Sequence, residues 1–227
     1  MSEQREKPVS TSRHETAAVS PHRLQALADG VFAIAMTLLV FDLSVPVATD
    51  RGDLGTTLGD MWPNFLGYLL SFFVLGVFWL IHHMLFDSIE RYDTTLVWLN
   101  IAFLMFAAFV PFSTGLFAEH GATSITALVY GVDMLIVFDL GWAIWSYATH
   151  GYRLVSLDLD PALVQGGKSM GAIYSLIVVV PLLIAPVFPV VSFVLYGGIV
   201  AAFIGATVLG RWELVTVWPG RRAGATW

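Results

Sequence analysis

The sequence predicts an all-α membrane protein with six transmembrane helices per subunit. Three observations predict it. The 227 residues are 57% hydrophobic and 12% charged, with a mean hydropathy of +0.75, far too apolar for a water-soluble domain. Six apolar segments are long enough to cross a bilayer, since about 20 helical residues span the roughly 30 Å hydrocarbon core. The basic residues fall almost entirely on one side of those segments, as cytoplasmic loops require.

The first segment runs over about 22–45. Ser20 is placed to cap its free amides, Pro21 suits a first helical position, and Pro46 stops it. A polar loop with Asp50, Arg51, Asp53 and several glycines follows. The second segment covers about 60–86, opening at Trp62-Pro63, and the third about 94–117, with a kink expected at Pro111. The fourth covers about 122–149, and a polar loop from Gly151 to Lys168 follows it. The fifth covers about 169–188, made irregular by Pro181 and Pro186, and the sixth about 190–210. Residues 1–20 read as a polar, disordered N-terminal tail without a signal peptide, 21–212 as the membrane domain, and 213–227 as a short basic tail.

With six spans, both termini share a side. Arg5, Lys7, Arg13, Arg23, Arg91, Arg153, Lys168, Arg211, Arg221 and Arg222 lie there, and of the 11 basic residues only Arg51 lies opposite. Both termini are therefore expected in the cytoplasm. The absence of cysteine removes disulfides and thiol chemistry, and a formal charge of −6 gives no reason to expect nucleic-acid binding.

Polar residues inside the spans carry the functional signal. Asp29 lies six residues past Arg23, about 9 Å into the first helix. A carboxylate there costs on the order of 2.5–3.5 kcal/mol unless it faces protein or water. Trp79, His82, His83 and Phe86 recur at helical spacing near the cytoplasmic end of the second span. Asn100 sits at similar depth in the third. These residues are expected to form one buried polar cluster joining three helices, with Arg23 at its mouth. A His-His-Asp metal site is the sharper alternative, but the adjacent histidines diverge by about 100° and no further ligand follows at helical spacing.

The first helix has another face. Ile34, Leu38 and Phe41 form an apolar stripe about 140° around from Asp29, flanked by Thr37 and Asp42. The stripe must face lipid, another subunit or a pore, and periodicity alone favours lipid or ordinary packing. Asp133 and Asp139 in the fourth span are either satisfied interior carboxylates or proton-linked sites. No Walker loop, nucleophile elbow, zinc-protease motif or Thr-Val-Gly-Tyr-Gly filter is present.

The stretch from Arg23 to Leu39, with Trp79, His82-His83, Phe86, Asn100 and Pro111-Phe112-Ser113-Thr114, resembles the transmembrane protein 175 family of endosomal/lysosomal potassium channels. That family carries Arg-x-x-x-Phe-Ser-Asp at the start of its first helix. Here Arg23 and Asp29 match, whereas Leu27 replaces the Phe and Ala28 the Ser. The resemblance covers residues 22–118 well and the later helices in number and order. It implies a single six-helix repeat, as in prokaryotic members, forming a homotetramer in the plasma membrane with its first helices around a central pore. Ile34, Leu38 and Phe41 would be the hydrophobic constriction, with Thr37 and Asp42 flanking it. Arg23, Asp29, Trp79, His82, His83 and Asn100 would be a structural polar network. The implied function is passive, potassium-preferring cation conduction. Potassium would be the permeant ion, with no cofactor or resident metal, and partners limited to other subunits, lipid and monovalent cations. A proton-coupled secondary transporter using Asp29, Asp133 or Asp139 is the alternative, and a membrane-embedded metal enzyme a further one. Neither is a catalytic reading of the apolar stripe, and no catalytic residue is expected for a channel.

Overall fold

The computed structural model describes residues 21–43 and 54–209. Both expected tails, the cap at Ser20 and the stop at Pro46 lie outside these residues. The described chain is helical: α1 Pro21–Leu38, α2 Leu54–Asp60, α3 Trp62–Asp87, α4 Thr94–Ala107, α5 Val110–His120, α6 Ser124–Thr149, α7 Pro161–Ile184 and α8 Pro189–Val208. Among the described residues six helical stretches can cross a membrane by length and composition, in the expected number and order.

Several boundaries differ from the sequence expectation, each for a local reason. The first span is α-helical only to Leu38 and continues as a 3-10 turn over Leu39–Asp42. Helix ends tighten this way to satisfy their last carbonyls. The third span is two helices rather than one kinked helix. Pro111 has no amide proton and would press on the carbonyl of Ala107, so α4 ends there and α5 restarts at Val110. The fifth span begins at Pro161, eight residues before the expected start. Asp160 accepts the amide of Ala162 at 2.8 Å and Pro161 takes the first helical position. The Gln165-Gly-Gly-Lys168 stretch that reads as loop is helical. Gly167 and Gly171 are needed there, because a Cβ on either would overlap Trp145 or Trp142, whose rings lie on the α7 backbone. The short helix α2 in the polar loop was not expected.

Helix α6 is the centre of the subunit, packing against α4, α5, α7 and α8. Tyr130, Val137, Ile144 and Trp145 from α6 join Phe78 and Phe103 in a continuous apolar core. Helix α1 packs against α3 and α4 at the edge of the subunit and adds Leu24, Ala28, Phe32, Ala35 and Leu39 to this core.

The α3–α4 connection is fastened to the end of α6. Asp93 caps α4 by accepting the Leu96 amide at 2.9 Å, accepts the Tyr147 hydroxyl at 2.6 Å, and lies 3.4 Å from Arg153. Partial burial opposes ionisation of this carboxyl most strongly. The Tyr147 hydroxyl, the Leu96 amide and the Arg153 guanidinium together outweigh it and hold the carboxyl below its ordinary range. A depressed carboxylate stabilises the fold above its unfolded pKa and loses that contribution as pH falls through the folded value. Asp93→Ala is therefore expected to cost about 1 kcal/mol at neutral pH, from the lost cap. Thermal melting of both proteins should give a difference that shrinks in acid.

Candidate functional site

Helix α1 divides cleanly into two faces. Leu24, Ala28, Phe32, Ala35 and Leu39 are buried against the subunit. Ile34, Leu38 and Phe41 are 61%, 49% and 75% exposed on the other side, despite being large and apolar. Side chains this size leave the subunit surface only to meet lipid or protein, or to line a cavity. Thr37, also exposed, turns its hydroxyl back onto its own helix and donates to the carbonyls of Ala33 or Ile34, both at 2.9 Å. Asp42 ends the 3-10 turn.

The polar residues do not form the single cluster the sequence suggests. Asp29 is paired with Trp79, whose indole N–H donates to its Oδ1 at 2.8 Å. Trp79 stacks on His83, His83 lies 3.7 Å from Asp87, and Asp87 accepts the Gln25 side-chain amide at 3.2 Å. This chain of contacts leaves α1 at Asp29, follows the end of α3 and returns to α1 at Gln25. It is a staple on the flank of the subunit, and both Asp29 and Trp79 are exposed there.

His82 and Asn100 form a separate, interior link. They are 2% and 0% exposed, and His82 Nε2 lies 2.8 Å from Asn100 Oδ1. With the Asn100 amide oxygen turned to the ring, as here, Nε2 is the donor. The imidazole stacks on Phe86 at 4.3 Å and is enclosed by Phe103 and Phe32. Adjacent residues on a helix diverge by about 100°, which sends His82 inward and His83 to the flank.

Arg23 is not at the mouth of this network. Its side chain is exposed and makes no hydrogen bond or ion pair among the described residues. Eleven residues separate it from Ile34, three helical turns that leave it about 20° from the apolar stripe. It therefore stands at the N-terminal end of the stripe's face. Gln25 and Asp87 were missed from the sequence, although each lies four residues from a singled-out residue, Asp29 and His83. Among the described residues no three His, Cys, Asp or Glu side chains come together as metal ligands.

Replacing Asp29 with Ala leaves the Trp79 N–H without its acceptor. Because the site is at the subunit surface, a cost of about 1–2 kcal/mol is expected, seen as a lower melting temperature and less assembled protein.

Comparison with known proteins points to one family, although its animal members carry another ion in their name. A rat protein 31% identical over 188 residues, covering 77% of this chain and 36% of the relative, is named the endosomal/lysosomal proton channel TMEM175. The sequence model of the family described as endosomal/lysosomal potassium channel TMEM175 matches residues 23–111. The chain is 36% identical over 158 residues to a protein of Streptomyces collinus named a potassium channel, covering 68% of this chain and 77% of the relative. It is 36% identical over 143 residues to a Chamaesiphon minutus protein also named a potassium channel, covering 61% and 70%. The fold is similar to the crystal structure of a lysosomal potassium-selective channel TMEM175 homolog from Chamaesiphon minutus. The TM-score is 0.71 at 27% identity, over 81% of this chain and 96% of that one.

Proposed function

Because the chain belongs to the endosomal/lysosomal potassium channel TMEM175 family, we propose that it is a potassium-selective channel and not an enzyme. In this reading it conducts passively through a pore lined by the first helices of four identical subunits. The observation that carries the proposal is the exposure of Ile34, Leu38 and Phe41 on the face of α1 that the subunit's own core leaves uncovered. In a homotetramer with α1 at the centre, each residue appears four times as a ring. Apolar rings of this kind gate by dewetting, since an ion crossing them loses hydration without gaining ligands. Thr37 and Asp42 flank the rings, and a ring of carboxylates at Asp42 would attract cations.

The polar contacts have a different task. The Asp29–Trp79 staple and the His82–Asn100 link hold α1 to α3 and α3 to α4, which fixes the direction in which the stripe points. The remaining parts of the reading are a plasma-membrane location, both termini in the cytoplasm, surrounding lipid, and potassium as permeant ion without a cofactor. The bias of the basic residues supports the orientation.

Two measurements on the full chain test the proposal. Light scattering should give a protein mass four times the 24.9 kDa of the subunit. Planar bilayers carrying the purified protein should show resolvable unitary potassium currents. A monomer in the active preparation removes the central pore, and transport without unitary steps indicates a carrier instead.

A further inference from the structure

We propose that Asp133 is a proton-binding site in the middle of the fourth span, and that its proton fastens α6 to α5 beside the break in the third span. Asp133 is 2% exposed, and among the described residues its Oδ1 has no hydrogen-bond partner. Its Oδ2 lies 2.9 Å from Ser113 Oγ on α5. The same Ser113 Oγ lies 3.0 Å from the carbonyl oxygen of Val110.

Counting protons favours a neutral carboxyl. Ser113 has one hydroxyl proton and two acceptor oxygens within reach. With Asp133 ionised, both short contacts must share the single Ser113 proton. With Asp133 neutral, its O–H donates to Ser113 Oγ, and the Ser113 hydroxyl donates to Val110. Each contact then holds one proton. The neighbouring pair obeys the same count: Ser71 donates to Thr114 Oγ1 at 2.6 Å, and Thr114 donates to the Val110 carbonyl at 2.9 Å.

Among the described residues the surroundings offer no countercharge. Tyr130, one turn away on α6, is the titratable group beside Asp133, and its ring meets that of Tyr196 on α8 edge to face at 5.3 Å. Helix α4 has no titratable residue, and those of α5, Glu119 and His120, are exposed at its far end. On α3, Tyr68 lies tilted against Phe72, and the histidines and Asp87 lie at the opposite end. On α7, Tyr174 stacks against Phe138, and Lys168 lies level with Trp142. The second carboxylate of α6, Asp139, is paired with Ser175. A buried carboxylate without a cation is the costly case, and it is relieved by holding a proton. A groove of about 280 Å³, walled by Phe106, Phe109, Val132 and Ile136, reaches Asp133 at the α4–α5 break. Loss of the proton would put a charge at that break and loosen α5 from α6.

Infrared spectroscopy of the full chain in phosphatidylcholine vesicles tests the site directly. At neutral pH a protonated-carboxyl carbonyl band should stand above the amide bands, vanish in Asp133→Asn, and shift in Ser113→Ala. If Asp133→Asn does not fold, the Ser113→Ala shift alone decides. The absence of any band sensitive to these substitutions would overturn the proposal. The second arm rests on the channel reading: potassium flux should change over the pH range in which the band is lost, and Asp133→Asn should flatten that profile. Identical profiles in the two proteins would overturn the coupling, while a protein with the band but no flux at any pH would overturn the channel reading alone.

Discussion

Leu38→Ala is expected to raise unitary potassium conductance several-fold and to weaken discrimination between potassium and sodium. The Leu38 side chain is 49% exposed on the uncovered face of α1, so its loss leaves no hole in the subunit core. It widens an apolar ring instead, and the dehydration barrier falls. Leu38→Asn should act in the same direction by wetting the ring. The neighbouring residue provides the contrast. Leu39 is 1% exposed within the core, so Leu39→Ala opens a cavity costing about 2–5 kcal/mol. Its expected effect is a lower melting temperature with unit conductance unchanged in the channels that form. Bilayer recording and thermal denaturation, applied to both variants, separate permeation from stability.

Asn100→Ala is expected to produce the largest loss of stability among the polar residues, about 2–4 kcal/mol. It removes the acceptor of the His82 N–H in a site closed by Phe32, Phe86 and Phe103. A buried donor without a partner costs more than an exposed one, because neither water nor lipid headgroup replaces the bond. The loss should exceed that of Asp29→Ala, whose partner Trp79 is 40% exposed. Paired melting curves check the order. The reverse order would mean that the surface staple, not the interior link, dominates the attachment of the first three spans.

The parts of the fold legible in the sequence were those written in long-range hydropathy. Six spans, their order and the two faces of α1 follow from apolar runs and helical period, because burial in a membrane leaves few ways to place charge. The misplaced features depended on local competition. Pro111 signalled a disturbance, but the position of the break was set by the carbonyl four residues earlier. The Asp160-Pro161 start signal was present, yet the glycines after it masked the helix, since their purpose is contact with Trp142 and Trp145 from α6. The polar residues near the N-terminal end of α1 were individually visible and at similar depth. Depth does not give azimuth between helices, so their division into a flank staple and an interior link needed the packed structure. Arg23 shows the same limit: its position suggested the mouth of the polar cluster, whereas its azimuth puts it below the stripe.

The sequence contains no cysteine, which allows a direct test of the central claim that α1 lines the pore. A single Leu38→Cys substitution would place four thiols in one ring if the helix is central, a soft-ligand site for cadmium. Cadmium applied from water should block potassium current through Leu38→Cys channels reversibly and leave the parent protein and Leu39→Cys unaffected. Normal current through Leu38→Cys that cadmium does not touch, or equal block at both positions, would contradict the account.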